Sequence, residues 1–293
     1  MSRLLIVDGH AYAYRAFHAI RALRSPSGRP TNAIYGFIKM LAKMRATLVP
    51  THLLVVWDGG LSAERTRALP DYKAQRPEMP VDLAEQLDEI MAYLKAAGIA
   101  AFCEDGVEAD DYIACIARRA VREGAEVVIA SSDKDFMQLV GSDIGLFNPN
   151  DKSETVWGAE QVRVKSGVEP GQIVDWLALM GDAVDNIPGV PGVGTKTAAD
   201  LLHQFGSVEQ LFARLDDVKS DRLRIALQAA VETVRRNLEL VRLKDDLPCS
   251  LELDDLGEQP VDVESLRELY QRWGFRSLLA ELEAAHPQQA VLL

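Results

Sequence analysis

The sequence predicts an α/β protein in which a mainly parallel central sheet flanked by helices is followed by a C-terminal helical lobe containing a helix-hairpin-helix. Three observations predict it. Apolar runs ending in acidic or polar residues alternate with helix-length stretches over the first 150 residues or so, the pattern of βαβ units. From about residue 159 the pattern becomes helical. Between Gly181 and Gly194 that helical half is broken by glycine and proline. The expected division is an α/β core over 1–158 and a helical lobe over 159–293, with the hairpin at about 185–206.

The strand candidates are LLIVD (4–8), LLVVWD (53–58), IAAFC (99–103) and EVVIASSD (126–133). In open α/β sheets ligands gather outside the carboxyl ends of the strands. Asp8, Asp58 and Asp133 stand at such ends. Between the second and third runs lies a charged connection, 59–80, with Arg65, Arg67, Lys73 and Arg76 and the prolines Pro77 and Pro80. A connection of that length inside a compact domain is usually functional or mobile.

Composition narrows the function classes. With 293 residues and 48% hydrophobic content the chain can bury a sizeable core. The start MSRLLIVDGH lacks the long apolar region and small-residue cleavage site of a secretory leader. No apolar run approaches the roughly 20 residues of a membrane span. Cys103, Cys115 and Cys249 form neither a closed disulfide framework nor a CxxC pair, so a cytoplasmic location is expected. The formal charge of -12 argues against a polyanionic partner, but its distribution reverses that reading. Residues 1–50 carry eight basic side chains against Asp8 alone, whereas residues 245–293 carry eleven acidic against three basic. A basic face beside an acidic body is compatible with DNA binding.

Beyond Asp8 and Asp58, acidic residues cluster as Glu108, Asp110 and Asp111 in VEADDYIA, Asp133 and Asp135 in SSDKDF, and Asp182 and Asp185 in GDAVDNIPG. Each group has an ordinary explanation as a helix-start, capping or turn residue. Jointly they are harder to dismiss, because two carboxylates about 4 Å apart repel by about 4 kcal/mol at an effective dielectric of 20. Several gathered in one cleft require protonation, separation or a bound cation. Hard divalent ions such as Mg²⁺ prefer oxygen ligands. The five histidines show no HExxH or paired spacing for zinc. Paired metal ions activate water and stabilise the leaving oxygen at a phosphodiester, so phosphoryl chemistry is the sharpest reading.

The stretch GVPGVGTKTA (189–198) fails the P-loop spacing, since Thr195 separates Gly194 from Lys196. It reads instead as a hairpin with Gly192, Val193 and Gly194 in the turn. Glycines permit close approach of a sugar-phosphate backbone, and the helix that follows presents free amide hydrogens to phosphate.

Taken in order, DGHAYAYRAFHA (8–19), VVWDG (55–59), YKAQRP (72–77), VEADD (107–111), SSDKDFMQLV (131–140) and GDAVDNIPGVPGVGTKTA (181–198) resemble the bacterial and phage 5′-3′ exonucleases of the flap endonuclease superfamily, most closely the 5′ nuclease domain joined to bacterial DNA polymerase I. The resemblance implies a structure-specific nuclease cutting flap or branched DNA by two-metal catalysis in replication and repair. Its metal carboxylates would be Asp8, Asp58, Glu108, Asp110, Asp111, Asp133, Asp135, Asp182 and Asp185. Asp8, Asp58, Asp110 and Asp111 would serve one ion, and Asp133, Asp135, Asp182 and Asp185 the other. The stretch at about 59–80 would be a helical arch whose Lys73 and Arg76 act at the scissile phosphate. Arg15 would contact phosphate, and Gly192, Val193, Gly194 and Lys196 would hold duplex DNA. Mg²⁺ is the implied ion, with Mn²⁺ as a substitute and K⁺ at the hairpin. Implied partners are DNA with a 5′ flap, branch or nick, RNA-primed DNA and a DNA polymerase, in the nucleoid and away from membranes. No polymerase segment follows in this chain. A non-catalytic branched-DNA-binding protein and an RNA-directed nuclease are the competing readings.

Overall fold

The structure is a computed structural model describing residues 2–148, 155–249 and 251–286. In chain order its first half contains β1 (Arg3–Asp8), α1 (Gly9–Ala19), α2 (Asn32–Leu48), β2 (His52–Val56), α3 (Ala63–Ala68), α4 (Val81–Ala96), β3 (Ala100–Phe102), α5 (Ala109–Arg122), β4 (Glu126–Ala130) and β5 (Ile144–Phe147). After them come β6 (Val156–Trp157), α6 (Ala159–Ser166), α7 (Ile173–Met180), β7 (Gly181–Asp182), β8 (Ile187–Pro188), α8 (Thr195–Phe205), α9 (Val208–Ala213), α10 (Asp221–Ala229), α11 (Val231–Val241), α12 (Val263–Trp273) and α13 (Arg276–Ala285). All four expected strands form. The sequence reading has no counterpart for β5 and β6, whose four and two residues are too short to carry a period. Among the described residues no helix is long and apolar enough to cross a membrane.

The chain divides into two compact units, one of residues 1–57, 78–103 and 250–293, the other of 58–77 and 104–249. The expected cut at 158/159 therefore runs through the second unit. The difference arises because the chain enters that unit at Asp58, leaves it at Pro77, returns at Glu104, and sends α12 and α13 back to the first.

In the first unit the strands run in the order β3-β2-β1 and are parallel, with Leu4 opposite His52, Asp8 opposite Val56 and Leu54 opposite Ala100. Leu4 to Val7 and Leu54 to Val56 are fully buried, which is why these strands read as continuous apolar runs rather than alternating ones. β1 ends on Asp8, which caps α1 by accepting from Ala11 N–H at 3.0 Å. Gly9 is required there, since a Cβ would lie 2.6 Å from the Trp57 ring. Arg15 lies half-buried on α1.

In the second unit β4 and β5 are parallel and β5 and β6 antiparallel. Helices α6 to α11 form a helical lobe shorter than the expected 159–293, because α12 and α13 belong to the first unit. Its interior is stitched by Asn237, fully buried on α11, whose Nδ2 donates to the carbonyls of Ala178 (3.0 Å) and Pro188 (2.7 Å).

Candidate active site

Two carboxylate groups of different character lie in the second unit. The first begins at Asp58, just past β2, whose Oδ1 accepts from Gly60 N–H at 2.9 Å. Gly59 presses against the turn leading into α5, where a Cβ would meet the Glu104 carbonyl oxygen at 1.8 Å; Gly59 N–H donates to Val107 O at 3.0 Å. Glu108 then occupies the N-cap of α5 without capping it. Its Oε1 accepts from Ser62 N–H (2.8 Å), and its Oε2 accepts from Lys73 Nζ (2.6 Å) and Tyr72 Oη (3.1 Å). Asp111 is gripped at both oxygens by Arg65, each contact 2.7 Å, and also accepts from Lys244 N–H at 2.9 Å. The Arg65 guanidinium donates as well to the carbonyls of Leu240 and Arg242, and stands 3.3 Å from Glu108.

This hub is buried and charge-matched. Burial works against the Glu108 carboxylate, but Lys73 and Arg65 outweigh it and hold its pKa low. Burial likewise opposes the Lys73 charge, and Glu108, Asp110 and Asp185 outweigh it and push its pKa up. The sequence reading marked Arg65 only as part of a charged connection and expected Lys73, with Arg76, to act at the scissile phosphate. The structure buries Arg65 and Lys73, at 4% and 5% exposure, against Asp111 and Glu108, so Lys73 is a buried ion-pair partner rather than an exposed phosphate contact; α3 is the helical portion of the 59–80 stretch. Arg76 alone of the three stays exposed, reaching Asp185 at 2.7 Å. Asp110 is half-buried beside the hub and adds to the field on Lys73 and Arg76.

The second group is Asp133, Asp135, Asp182 and Asp185. Asp133 follows β4 and caps a short 3₁₀ helix, Lys134–Leu139, by accepting from Asp135 N–H at 2.9 Å. Asp182 ends β7, where its Oδ1 accepts from Val184 N–H (2.8 Å) and its Oδ2 lies 2.9 Å from Lys134 Nζ. Asp185 sits in the β7–β8 turn, nearly buried, with its carbonyl accepting from Lys73 N–H at 3.0 Å. Here burial is not compensated. It raises the pKa of Asp133, and with Asp133, Asp182 and Asp185 nearby it raises that of Asp135 well above the usual carboxylate range. Asp135 Oδ1 is sealed from solvent and has no hydrogen-bond partner.

Among the described residues no three Asp, Glu, His or Cys side chains close up as a ready-made metal cage. Lys134 and Arg76 explain the spread, since each holds one of the cluster's carboxylates. The donor set nonetheless fits a hard divalent cation: all oxygen, excess negative charge, and a buried acceptor with no donor. Glu108 and Asp111 fit poorly as ligands, because both oxygens of each are already held, those of Asp111 by Arg65 and those of Glu108 by Ser62 N–H and by Lys73. The sequence reading missed Lys134, Tyr72 and Ser62 as participants. Lys134 was visible inside SSDKDF, but nothing in sequence shows which way a lysine between two aspartates turns.

The hairpin follows. α7 ends at Met180, β7 and β8 form a small antiparallel ribbon, and Pro191-Gly192-Val193-Gly194 leads into α8. Val190, Val193, Ala198 and Leu201 are buried, while Gly192, Gly194 and Lys196 are exposed. Gly192 has φ +82°, whereas Gly194, the N-cap of α8, has φ -110° and open space where a Cβ would be.

Residues 3–167 match the family described as "5′-3′ exonuclease, N-terminal resolvase-like domain", and residues 168–264 match "5′-3′ exonuclease, C-terminal SAM fold". The chain is 39% identical to a 5′-3′ exonuclease of Aquifex aeolicus, covering 97% of this chain and 96% of that one. It is also 39% identical to DNA polymerase I of Bacillus caldotenax over 98% of this chain, and spans about a third (33%) of that relative's length. Among solved structures, phage T5 5′-exonuclease with bound divalent metal ions (zinc) aligns with a TM-score of 0.69 at 25% identity, covering 92% of this chain and 99% of that one.

Proposed function

The chain belongs to the 5′-3′ exonuclease family, and from that premise we propose that it is a metal-dependent, structure-specific 5′ nuclease hydrolysing phosphodiester bonds in DNA carrying a 5′ flap, branch or nick. The observation that carries the reading is the acidic cluster, only partly neutralised by Lys134 and Arg76, with its sealed Asp135 Oδ1. A non-catalytic DNA-binding protein gains nothing from such an arrangement, which weakens the fold unless a cation enters it.

Asp133, Asp135, Asp182 and Asp185 would hold one divalent ion, with Asp58 and Asp110 assigned to a second and Asp8 assigned by its sequence match. Bound Mg²⁺, or Mn²⁺ in its place, supplies water activation on one side of the scissile phosphate and stabilisation of the leaving oxygen on the other. Glu108 and Asp111 act as positioning residues, since through Lys73 and Arg65 they fix α3 and the following turn against the start of α5. Arg76, exposed and paired with Asp185, would bind and orient the phosphate. Lys73, paired with Glu108, would fix the turn that carries Arg76. The exposed N-terminus of α8, with Gly192, Val193, Gly194 and Lys196, would grip duplex phosphates, K⁺ would sit at the hairpin carbonyls, and Arg15 would contact phosphate. RNA-primed DNA, action beside a DNA polymerase and a place in the nucleoid extend the same reading.

The test is cleavage of a 5′-flap substrate made wholly of DNA, with Mg²⁺ and then with chelator, beside the same flap tipped with RNA. Chelator-sensitive cutting of the DNA flap is expected. Cleavage of the RNA-tipped flap alone would favour the RNA-directed reading, and binding without cleavage the non-catalytic one.

A further inference from the structure

Asp133, Asp182 and Asp185 all lie near enough to act electrostatically on Asp135, and the chain supplies its own cations against them. Asp182 uses Oδ1 to accept from Val184 N–H, so Oδ2 is the oxygen it can turn toward a ligand. That oxygen is the one Lys134 Nζ holds, at 2.9 Å. Asp185 is held in the same way by Arg76 at 2.7 Å. The two cations differ in how readily they let go. A guanidinium is a rigid planar fork, whereas an ammonium is a compact, strongly hydrated point charge on a flexible four-carbon stem. Exposure does not separate the two, since the Lys134 side chain is 32% exposed and that of Arg76 41%, so the difference lies in the chemistry of the ammonium. Lys134 is therefore the group that can leave with least loss. It cannot go far, because its backbone is fixed between the Asp133 cap and Asp135.

We propose that Lys134 is an internal countercation of the acidic cluster, holding Asp182 when no divalent ion is bound and turning into solvent as one binds, so that metal uptake at this site is an exchange of cations. This rests on the metal-dependent reading given above. A second, independent sign that the cluster is built for an exogenous cation is the sealed Asp135 Oδ1, an acceptor that Lys134 leaves without a donor. The internal cations thus neutralise only part of the cluster. In consequence Lys134 sets the affinity of the site: with it, a divalent ion must displace an ion pair and then remain beside a tethered positive charge.

The experiment is calorimetric titration of the metal-free full-length protein with Ca²⁺ at low ionic strength, for the wild type, Lys134→Ala, Lys134→Arg and Asp182→Asn, with a thermal melt in chelator confirming that each is folded. Lys134→Ala should bind Ca²⁺ about fivefold tighter, the worth of one partly exposed ion pair. Lys134→Arg keeps the charge and should stay within about twofold of wild type. Unchanged or weaker binding by Lys134→Ala, with wild-type binding intact and reduced by Asp182→Asn, overturns the countercation while leaving the metal site standing. Absence of saturable, Asp182-dependent binding in the wild type overturns the metal-dependent reading and this inference with it.

Discussion

The hub around Glu108 and Asp111 and the cluster around Asp133 and Asp135 use the same residue type to opposite ends. In the hub two carboxylates meet Arg65 and Lys73 with short, directed contacts, and both oxygens of each acid are taken. In the cluster four carboxylates meet Lys134 and Arg76 at its edge, and one buried oxygen has nothing to accept from. A matched set of buried charges supports the fold. An unmatched set weakens it and is kept where a ligand completes it. On the function proposed above, the distinction separates carboxylates that would position from carboxylates that would bind a cation.

The largest effect that sharpens the comparison is on chemistry. Asp133→Asn should lower Mg²⁺-dependent flap cleavage by about 10⁴-fold or more, over about 5 kcal/mol of transition-state stabilisation, because a metal ligand is lost. Flap binding should remain nearly intact, because phosphate contacts elsewhere hold the duplex. Single-turnover rates and equilibrium binding measured on one preparation check both halves, and wild-type turnover would remove Asp133 from the metal site.

Next in size is the effect on stability. Arg65→Met should destabilise by about 3–5 kcal/mol, since it leaves Asp111 buried with its cation gone and takes from Glu108 the more distant of its two cations. Urea unfolding in chelator measures this. A loss under about 1 kcal/mol would mean that solvent or Lys73 already satisfies the hub, and the contrast between the two regions would collapse.

The two regions should also respond to pH with opposite signs. Glu108 has a depressed pKa in the fold, so its contribution is present above the ordinary carboxylate range and disappears as pH falls through the folded value. Asp135 has a raised one, so its contribution is present in acid and is lost as pH rises through the folded value. In chelator near neutral pH, Asp135→Asn should therefore stabilise the protein, by about 1–2 kcal/mol on the general scale of relieving a buried conflict, whereas Glu108→Gln should destabilise it. Unfolding free energies followed from neutral pH down into acid below the ordinary carboxylate range would test the pair, and the same sign in both variants would break the comparison.

Sequence made one side of this contrast visible and hid the other. The strands containing Leu4 to Val7 and Leu54 to Val56 were legible because burial on both faces leaves continuous apolar runs. The carboxylates were legible because each follows a strand end or opens a helix. Their division into hub and cluster was not, since it depends on cations arriving from elsewhere in the chain, Arg65 from α3 and Lys73 from the turn after it. A buried arginine in AERTRA looks like any surface arginine until its partner Asp111, 46 residues on, is known. The interleaved units were hidden for a similar reason, as no local signal tells the chain to return from Pro77 to the first unit.

The smallest expected effect lies at the hairpin turn from Gly192 to Lys196, which contains neither the charge-matched hub nor the carboxylates assigned to the divalent ions and so serves as the control for both regions. Gly194 has ordinary extended φ and open space around its missing Cβ, so Gly194→Val should fold normally; any loss of duplex affinity then reports the approach of a phosphate backbone. Gly192, at φ +82°, is different, and a side chain there strains the turn itself. Lys196 is exposed at the start of α8 and would contribute about one charge contact. Lys196→Ala should therefore weaken flap binding for all sequences alike and make the slope of log affinity against log salt shallower by about one unit. Cleavage of a short single strand should hardly change, because the acidic cluster is untouched. Affinities for flap and single-stranded DNA across a salt series test this directly: equal flap affinity in Gly194→Val, Lys196→Ala and the wild type would leave the hairpin a packing element, and equal losses on flap and single strand would make it part of the cleavage site.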